Sequence, residues 1–453
     1  MGQAGTNKKE GFYMKNKKWM AILLGGIMAA SLAAPCSVSA AEKTTITFWH
    51  AMGGTNGEVL QQIVDDFNAS QDEIEIKAEY QGTYDDTITK LKAAMQSESG
   101  LPDVCQMYDV GTKFMYDSGA VIPVEDKFES TGYDKSSVMD VISSYYTVEG
   151  KQYAMPFNVS TPMLYYNKDV FEAAGLDPET PPTTYDEVLE DAKKIVESGA
   201  APVGYSQAIY GWFFEQQLAG LGVTYGNNDN GRTEAVTAVD FDSNGGGLKV
   251  FDMWKKLYDS GYFEDYGTTT ADTQTAFFSG QVGMIIESTA ILKNAVDSSP
   301  FEVGTGYLPR IEQNDEGGVI IGGGSLWLTD TGNEANEDAA WKFIEYITTP
   351  DVQAKWSMGT GYFAINEKAY ETDDMKAYLE ENPNFMTAIN QLKDSPVNCN
   401  TAGVLSGVQT EARLTFNEIM PQVYDGKLTT QDAVDQLAAS VNKAIENYNE
   451  SIK

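Results

Sequence analysis

Histidine is almost missing from this 453-residue chain, with His50 the only one, and the three cysteines (Cys36, Cys105, Cys399) lie far apart. A histidine-dependent catalytic triad or a Cys/His zinc site has little to draw on, so no catalytic set, metal or cofactor is expected. Cys105 and Cys399 are either two free thiols, the reading we favour, or one disulfide. Positive charge is also scarce: 31 Lys and Arg stand against 66 Asp and Glu, a formal net charge of -35. Such a chain repels phosphate backbones and anionic membranes, which argues against a nucleic-acid partner. Arginine occurs only at 232, 310 and 413. No internal repeat or low-complexity stalk supports a role as an adhesin or structural surface protein.

What is present is a large apolar inventory. Hydrophobic residues make up 42% and aromatics 11% of the chain, enough to offset the entropy of ordering it. The length fits two or three domains or lobes.

The basic cluster Met14-Lys15-Asn16-Lys17-Lys18, the apolar run Trp19 to Ala34 and the A-x-A-like Val38-Ser39-Ala40 read as a secretory signal peptide over residues 1–40. That run is too short for a membrane span, and no later segment is long enough without charges. Thirteen residues precede Met14, which fits an upstream start or an added N-terminal extension. Cys36 raises the alternative of a lipid anchor on the outer face of the membrane, but Ala33 and Pro35 fit a lipobox poorly. Cleavage after Ala40 or Ala41 is favoured. Either way the protein is exported.

Along the mature chain, Thr45 to Trp49 is a β-type run, the Gly53-to-Gly57 turn breaks it, and Val59, Ile63, Val64 and Phe67 follow at helical spacing. Further strands are expected at 74–78, 103–108, 163–166, 282–286 and 325–328. Helices are expected at 85–97, 169–174, 185–198, 251–260, 272–278, 339–347, 413–424 and 430–448. Alternating β and α predict a mostly parallel sheet covered by helices, begun twice.

These residues resemble a family. Ile46-Thr47-Phe48-Trp49-His50 after a signal peptide, Tyr165-Tyr166-Asn167-Lys168-Asp169 with Ala174-Gly175-Leu176, and Pro181-Pro182-Thr183-Thr184-Tyr185 resemble family 1 extracellular solute-binding proteins of sugar ABC transporters. Tyr80-Gln81-Gly82-Thr83-Tyr84, Gln106 to Thr112, Pro156 to Pro162, Ile320 to Trp327 and Thr360-Gly361-Tyr362 place the likeness nearest the glycerol-3-phosphate-binding members. The resemblance implies an α/β, two-lobed periplasmic-binding-protein-like fold with discontinuous lobes and an interlobe ligand cleft that closes by hinge motion. Crossovers are expected near 156–160, 287–289 and 325–328. The N-terminal lobe would then take 42–156 with 288–325, and the C-terminal lobe 157–287 with 326–453. The resemblance also implies a monomer that serves the permease subunits of an ABC importer in the periplasm or on the outer face of the membrane.

Carried over residue by residue, the family's pocket falls on Tyr84, Asp109, Ser160, Ser288, Gly323, Tyr362 and Arg413. Asp109 departs from the family pattern, which has Glu there, and is one methylene shorter. The chemistry is coherent on its own terms. Ser160, Ser288, Tyr362, a Gly323 N–H and Arg413 can donate to a phosphate, Asp109 can accept glycerol hydroxyls, and Tyr84 can do either. Arg413, near a helix start, suits an anion anchor; otherwise it is a surface ion pair. Gly322-Gly323-Gly324-Ser325 permits close backbone approach but lacks the Gly-Lys-Ser/Thr of a phosphate-binding loop for nucleotides. Trp212 is a candidate cleft-lining ring, as are Tyr210 and Trp356; core packing is the alternative for each. His50 is expected to be structural.

The leading expectation is a non-enzymatic binding component for sn-glycerol 3-phosphate or a glycerophosphodiester. An oligosaccharide-binding protein is the alternative, since 25 Tyr and 7 Trp offer stacking faces and a sugar does not need Arg413. A secreted acid–base hydrolase is the rival class, but in a chain this acidic, pairs such as Asp85-Asp86 arise by chance.

Overall fold

A computed structural model describes residues 43–452 apart from 98 and 99. The signal-peptide segment and Cys36 lie outside the described residues. No helix among the described residues is long and apolar enough to cross a membrane.

The described strands are β1 (Thr44–His50), β2 (Ile74–Tyr80), β3 (Val104–Tyr108), β4 (Val121–Ile122), β5 (Thr147–Val148), β6 (Lys151–Gln152), β7 (Met155–Ser160), β8 (Pro162–Asn167), β9 (Val203–Ser206), β10 (Val282–Ser288), β11 (Val303–Gly306) and β12 (Gly322–Thr329). One sheet runs β2-β1-β3-β12-β4 with β7 also paired to β12; a second runs β11-β8-β10-β9; β5 and β6 form a separate hairpin. Period-two burial of Ile46, Phe48 and His50 faces β1 onto the core, and the helix Gly54–Ser70 covers it with Leu60, Ile63, Val64 and Phe67. The helix Tyr185–Ser198 shows how local sequence fixes an element. Thr184 and Glu187 form a reciprocal capping box at its start, and Gly199, at φ 78°, ends it.

The sheets are less parallel than the alternation predicts. β2-β1-β3 and β9-β10 are parallel, but β12 is antiparallel to β3, β4 and β7, and β8 is antiparallel to β10 and β11. β12 reaches the first sheet after a stretch of chain on the second, so it is not bound by the right-handed β-α-β crossover that makes neighbours parallel.

The expected crossover at 325–328 also shifts. β12 runs unbroken through 325/326, and the helices Glu334–Ile347 and Pro350–Thr360 pack back onto the first sheet, with Phe343 at 5.6 Å from Phe48 between ring centroids. β11, expected with the first lobe, pairs with β8 in the second sheet. Apolar faces decide both placements: Trp327, Trp341 and Trp356 join the first core, whereas Trp254, Phe213 and Phe416 fill the second with the terminal helices Gln409–Tyr424 and Thr430–Ser451.

The other two crossovers lie side by side. Between β7 and β8 the chain passes from first sheet to second at Thr161, and after β10 it leaves the second sheet at Thr289. Thr289 N donates to Thr161 O at 2.9 Å, Thr161 N donates to Thr289 Oγ1 at 3.2 Å, and Tyr165 Oη donates to Ser288 O at 2.8 Å.

Candidate functional site

Most of the expected site residues sit at or near element ends where the two sheets meet. Asp109 opens the short turn after β3, Tyr84 starts the helix Tyr84–Ser97, and Ser160 and Ser288 are the last residues of β7 and β10. Tyr362 follows Gly361, which ends the helix Pro350–Thr360. Arg413 lies on the helix Gln409–Tyr424.

Arg413 is neither free nor on the surface. Its Nε donates to Glu215 Oε1 at 2.8 Å, and Nη2 donates to Glu215 Oε2 and to Asp109 Oδ2, both at 2.7 Å. Asp109, Glu215 and Arg413 are 5%, 6% and 7% exposed, so this is a buried cluster of one cation against two carboxylates. Burial works against the Arg413 charge, yet the two carboxylates overturn that and raise its pKa. Burial, only partly offset by Arg413, holds Glu215 above the usual carboxylate range. Gln409 Nε2 adds a hydrogen bond to Glu215 Oε1 at 3.0 Å. Among the described residues, the N–H groups of Nη1 are the part of the guanidinium with no hydrogen-bond partner. The expected simple anion anchor is therefore a carboxylate-clamped arginine, and the two carboxylates give the site hydroxyl-accepting as well as donating character.

A second group forms around Asn158 on β7. Its Nδ2 donates to Tyr84 Oη at 2.7 Å, and its Oδ1 accepts from Gln106 Nε2 at 2.6 Å. Burial, then the nearby Tyr362 phenol, pushes the Tyr84 phenol well above its ordinary value, and burial raises Tyr362. Both are protonated donors at neutral pH. Tyr84 stacks on Tyr108 at 5.1 Å, and Tyr362 on Trp356 at 5.7 Å. Trp356 is itself sealed against Phe157 at 4.6 Å, so it supports Tyr362 from the core.

The glycine run joins the two groups. Gly322 is in register with Ser160 and Gly323 with Val159, with a bulge between Gly324 and Ser325. Gly323 has φ 89°, and a Cβ there would lie 1.9 Å from Asn158 O, so the run is required by its close pairing with β7. The Trp212 indole closes on Gly322, and its Nε1 is buried with no partner. Ser288 Oγ accepts from Ala290 N at 3.2 Å, leaving its O–H as a donor.

Across the interface, Tyr108 Oη meets Thr410 Oγ1 at 2.8 Å and Tyr448 Oη donates to Asp117 Oδ2 at 2.7 Å, so with Asp109–Arg413 three contacts hold the first lobe against the terminal helices. Glu215, Asn158 and Gln409 were not anticipated from sequence. Glu215 did carry a signal: it is the lone charge in the apolar helix Gly211–Gly220.

His50 Nδ1 accepts from Met52 N at 3.3 Å, and burial lowers its pKa to about 4. Cys105 and Cys399 are free. Asp85 accepts from Tyr108 Oη at 2.9 Å and Asp86 caps Thr83, so that pair serves the fold. Among the described residues no cluster of His, Cys, Asp and Glu could hold a metal ion.

The bacterial extracellular solute-binding protein family matches residues 62–387. The sn-glycerol-3-phosphate-binding periplasmic protein UgpB of Escherichia coli (strain K12) is 31% identical over 417 residues, covering 90% of this chain and 94% of that protein. Among solved structures, the cyclic alpha-maltosyl-1,6-maltose binding protein from Arthrobacter globiformis superposes with a TM-score of 0.74 at 26% identity, covering 90% of this chain and all of that one. UgpB from Mycobacterium tuberculosis in complex with glycerophosphocholine superposes with a TM-score of 0.76 at 21% identity, covering 90% of this chain and 100% of that one, and so supports the fold. Two sheets joined by paired crossovers, a buried polar cluster where they meet, and a match over most of the chain lead to one conclusion: the chain belongs to the bacterial extracellular solute-binding protein family.

Proposed function

We propose that this protein is the substrate-binding component of an ABC importer and captures sn-glycerol 3-phosphate or a glycerophosphodiester between its lobes. The observation that carries the reading is the Asp109–Arg413–Glu215 cluster, in a chain 31% identical to a glycerol-3-phosphate-binding protein over 90% of its length. Asp109 and Glu215 accept the glycerol hydroxyls, held in place by the guanidinium they share. Arg413 Nη1, the Ser160 and Ser288 hydroxyls and the Tyr362 phenol face the phosphate oxygens, and Trp212 covers the ligand. Gly323 serves through the backbone. The protein binds and delivers its ligand without turning it over, so incubation with glycerophosphocholine releases no choline.

An oligosaccharide is the second reading. It is favoured by the 26% identity to a maltosyl-maltose-binding protein and by the excess of carboxylate over guanidinium, which suits a neutral polyol. Isothermal titration of the mature chain with glycerol 3-phosphate, glycerophosphocholine and maltotriose separates the two. Saturable micromolar binding of a phosphate ester with maltotriose silent supports the first; binding of maltotriose alone replaces it with the second.

In the cell we place the protein outside the cytoplasmic membrane, after cleavage near Ala40 or with a lipid on Cys36. Mass spectrometry of the mature N-terminus distinguishes these.

A further inference from the structure

Arg232 is bound in an unusual way for an arginine: it meets only carbonyls. Its Nε donates to Gly403 O at 3.0 Å, Nη1 to Tyr145 O at 2.9 Å, and Nη2 to Ala402 O. Among the described residues no carboxylate pairs with it. The turn that presents it is strained. Asn228, Asp229 and Asn230 are left-handed in succession, at φ 55°, 52° and 59°, followed by Gly231 at 76°. Three such non-glycine residues in a row persist only where the surroundings over-determine them. Here Asn230 does so: its Oδ1 accepts from Tyr225 N at 2.8 Å and Gly226 N at 2.9 Å, its Nδ2 donates to Cys399 O at 3.0 Å, and its backbone carbonyl accepts from Leu405 N.

The object of this arrangement is Tyr145. The guanidinium lies over its ring at 5.3 Å, the Tyr146 ring packs at 5.2 Å, and Gly403 approaches so closely that a Cβ there would lie 3.0 Å from Cε2 and 2.8 Å from Ile320, two residues before the Gly322–Gly324 run. The ring is thus fixed from three sides. Its hydroxyl has no hydrogen-bond partner among the described residues although the residue is 4% exposed. Burial, then the Asp109 carboxylate, keeps that phenol protonated, with Arg413 and Arg232 acting the other way.

We propose that Tyr145 is a further ligand-contacting residue, donating its phenolic hydrogen to an oxygen of the bound ester, and that Arg232 positions it by tying the first lobe's Tyr145 to the 402–403 turn beside the terminal helices. This rests on the reading of the interlobe cleft as the ligand site. Because Arg232 satisfies a carbonyl from each side, closing the lobes and aiming the Tyr145 hydroxyl are one event. The strained turn is the cost of placing a guanidinium there without a carboxylate to compete for it.

The test is titration of the full mature chain with glycerol 3-phosphate and glycerophosphocholine, with maltotriose as control. Wild type is compared with Tyr145→Phe, Arg232→Met and the double variant, alongside melting curves without ligand. Tyr145→Phe removes one oxygen, so its melting midpoint should hold while affinity falls about tenfold to a hundredfold, the range for a hydrogen bond to a charged group. Arg232→Met should weaken binding to a similar extent, and the double variant no further than the worse single. Wild-type affinity in Tyr145→Phe overturns the contact. Losses that multiply in the double variant overturn the positioning role. Should Arg232→Met fail to fold, Arg232→Lys takes its place in the same cycle. A wild type that binds maltotriose but neither ester overturns the proposed ligand instead, and a Tyr145→Phe loss on maltotriose would then still support the contact.

Discussion

Replacing Arg413 by Met should expose what the buried cluster costs when its cation is gone. Asp109 and Glu215 would remain in place, almost fully buried, with no positive charge within reach. Deleting one partner of a buried ion pair typically costs about 3–5 kcal/mol, since the orphaned charge keeps its desolvation penalty. With about 2.1 cal/mol/K of unfolding entropy per residue over roughly 400 folded residues, that corresponds to a drop of about 4–6 °C in the melting midpoint at pH 7. The pH dependence gives a sharper check. Burial already holds Glu215 above its usual value even beside Arg413, and losing the guanidinium raises it further. Between the unfolded value, about 4.3, and that raised folded value, the native state binds the extra proton, so the variant's deficit shrinks as pH falls through this window. Calorimetry of wild type, Arg413→Met and Arg413→Met/Glu215→Gln at pH 7 and pH 5 measures both effects. The double variant should recover part of the loss at pH 7. A midpoint within 1 °C of wild type at pH 7, or a deficit that grows at pH 5, would refute the reasoning.

Three further outcomes are expected. Gly323→Ala should lose about 2–5 kcal/mol in denaturant unfolding, because its left-handed φ and the Asn158 carbonyl both reject a Cβ. In a thiol-labelling assay without reductant, the half-buried Cys399 should react slowly in the native protein. Cys105, whose thiol burial pushes up to about 12, should react only on unfolding, and a non-reducing gel should show no bridge between the two. His50 is lowered to about 4 when folded, so the unfolded chain binds the extra proton between about 6.5 and 4, and this share of stability is lost as pH falls through that window. Wild type should accordingly lose melting temperature more steeply over that range than His50→Gln.

Much of this architecture could be read from residue patterns. The helix at 185–198 was legible because Thr184, Glu187 and Gly199 mark both its ends, and β1 because its burial alternates. The helix Gly211–Gly220 was not, since nine of its ten residues are buried and a helix buried on every side has no polar face to set a period. The boundary near 325 was misplaced for a related reason. A run buried on both faces, such as Ser325 to Leu328, reads alike in either lobe, and only pairing with β3 and β7 assigns it. In the candidate site, the resemblance supplied Asp109 and Arg413 but not Glu215, which turns a free guanidinium into a clamped one. Its being the lone charge in the helix Gly211–Gly220 marked Glu215 as unusual, but no local pattern names a partner 198 residues away.

The paired crossovers at Thr161 and Thr289 have a mechanical consequence. Two strips of chain laid edge to edge and tied by hydrogen bonds behave as a double-leaf flexure. Such a joint bends readily about the line across its leaves but resists twisting and sliding, because either motion shears the ties between Thr161, Thr289 and the Tyr165–Ser288 contact. Relative movement of the lobes at this joint would accordingly favour bending over twist or slide. A joint that resists twist and slide would hold side chains on opposite lobes, such as Asp109 and Arg413, in the registration that their 2.7 Å hydrogen bond requires.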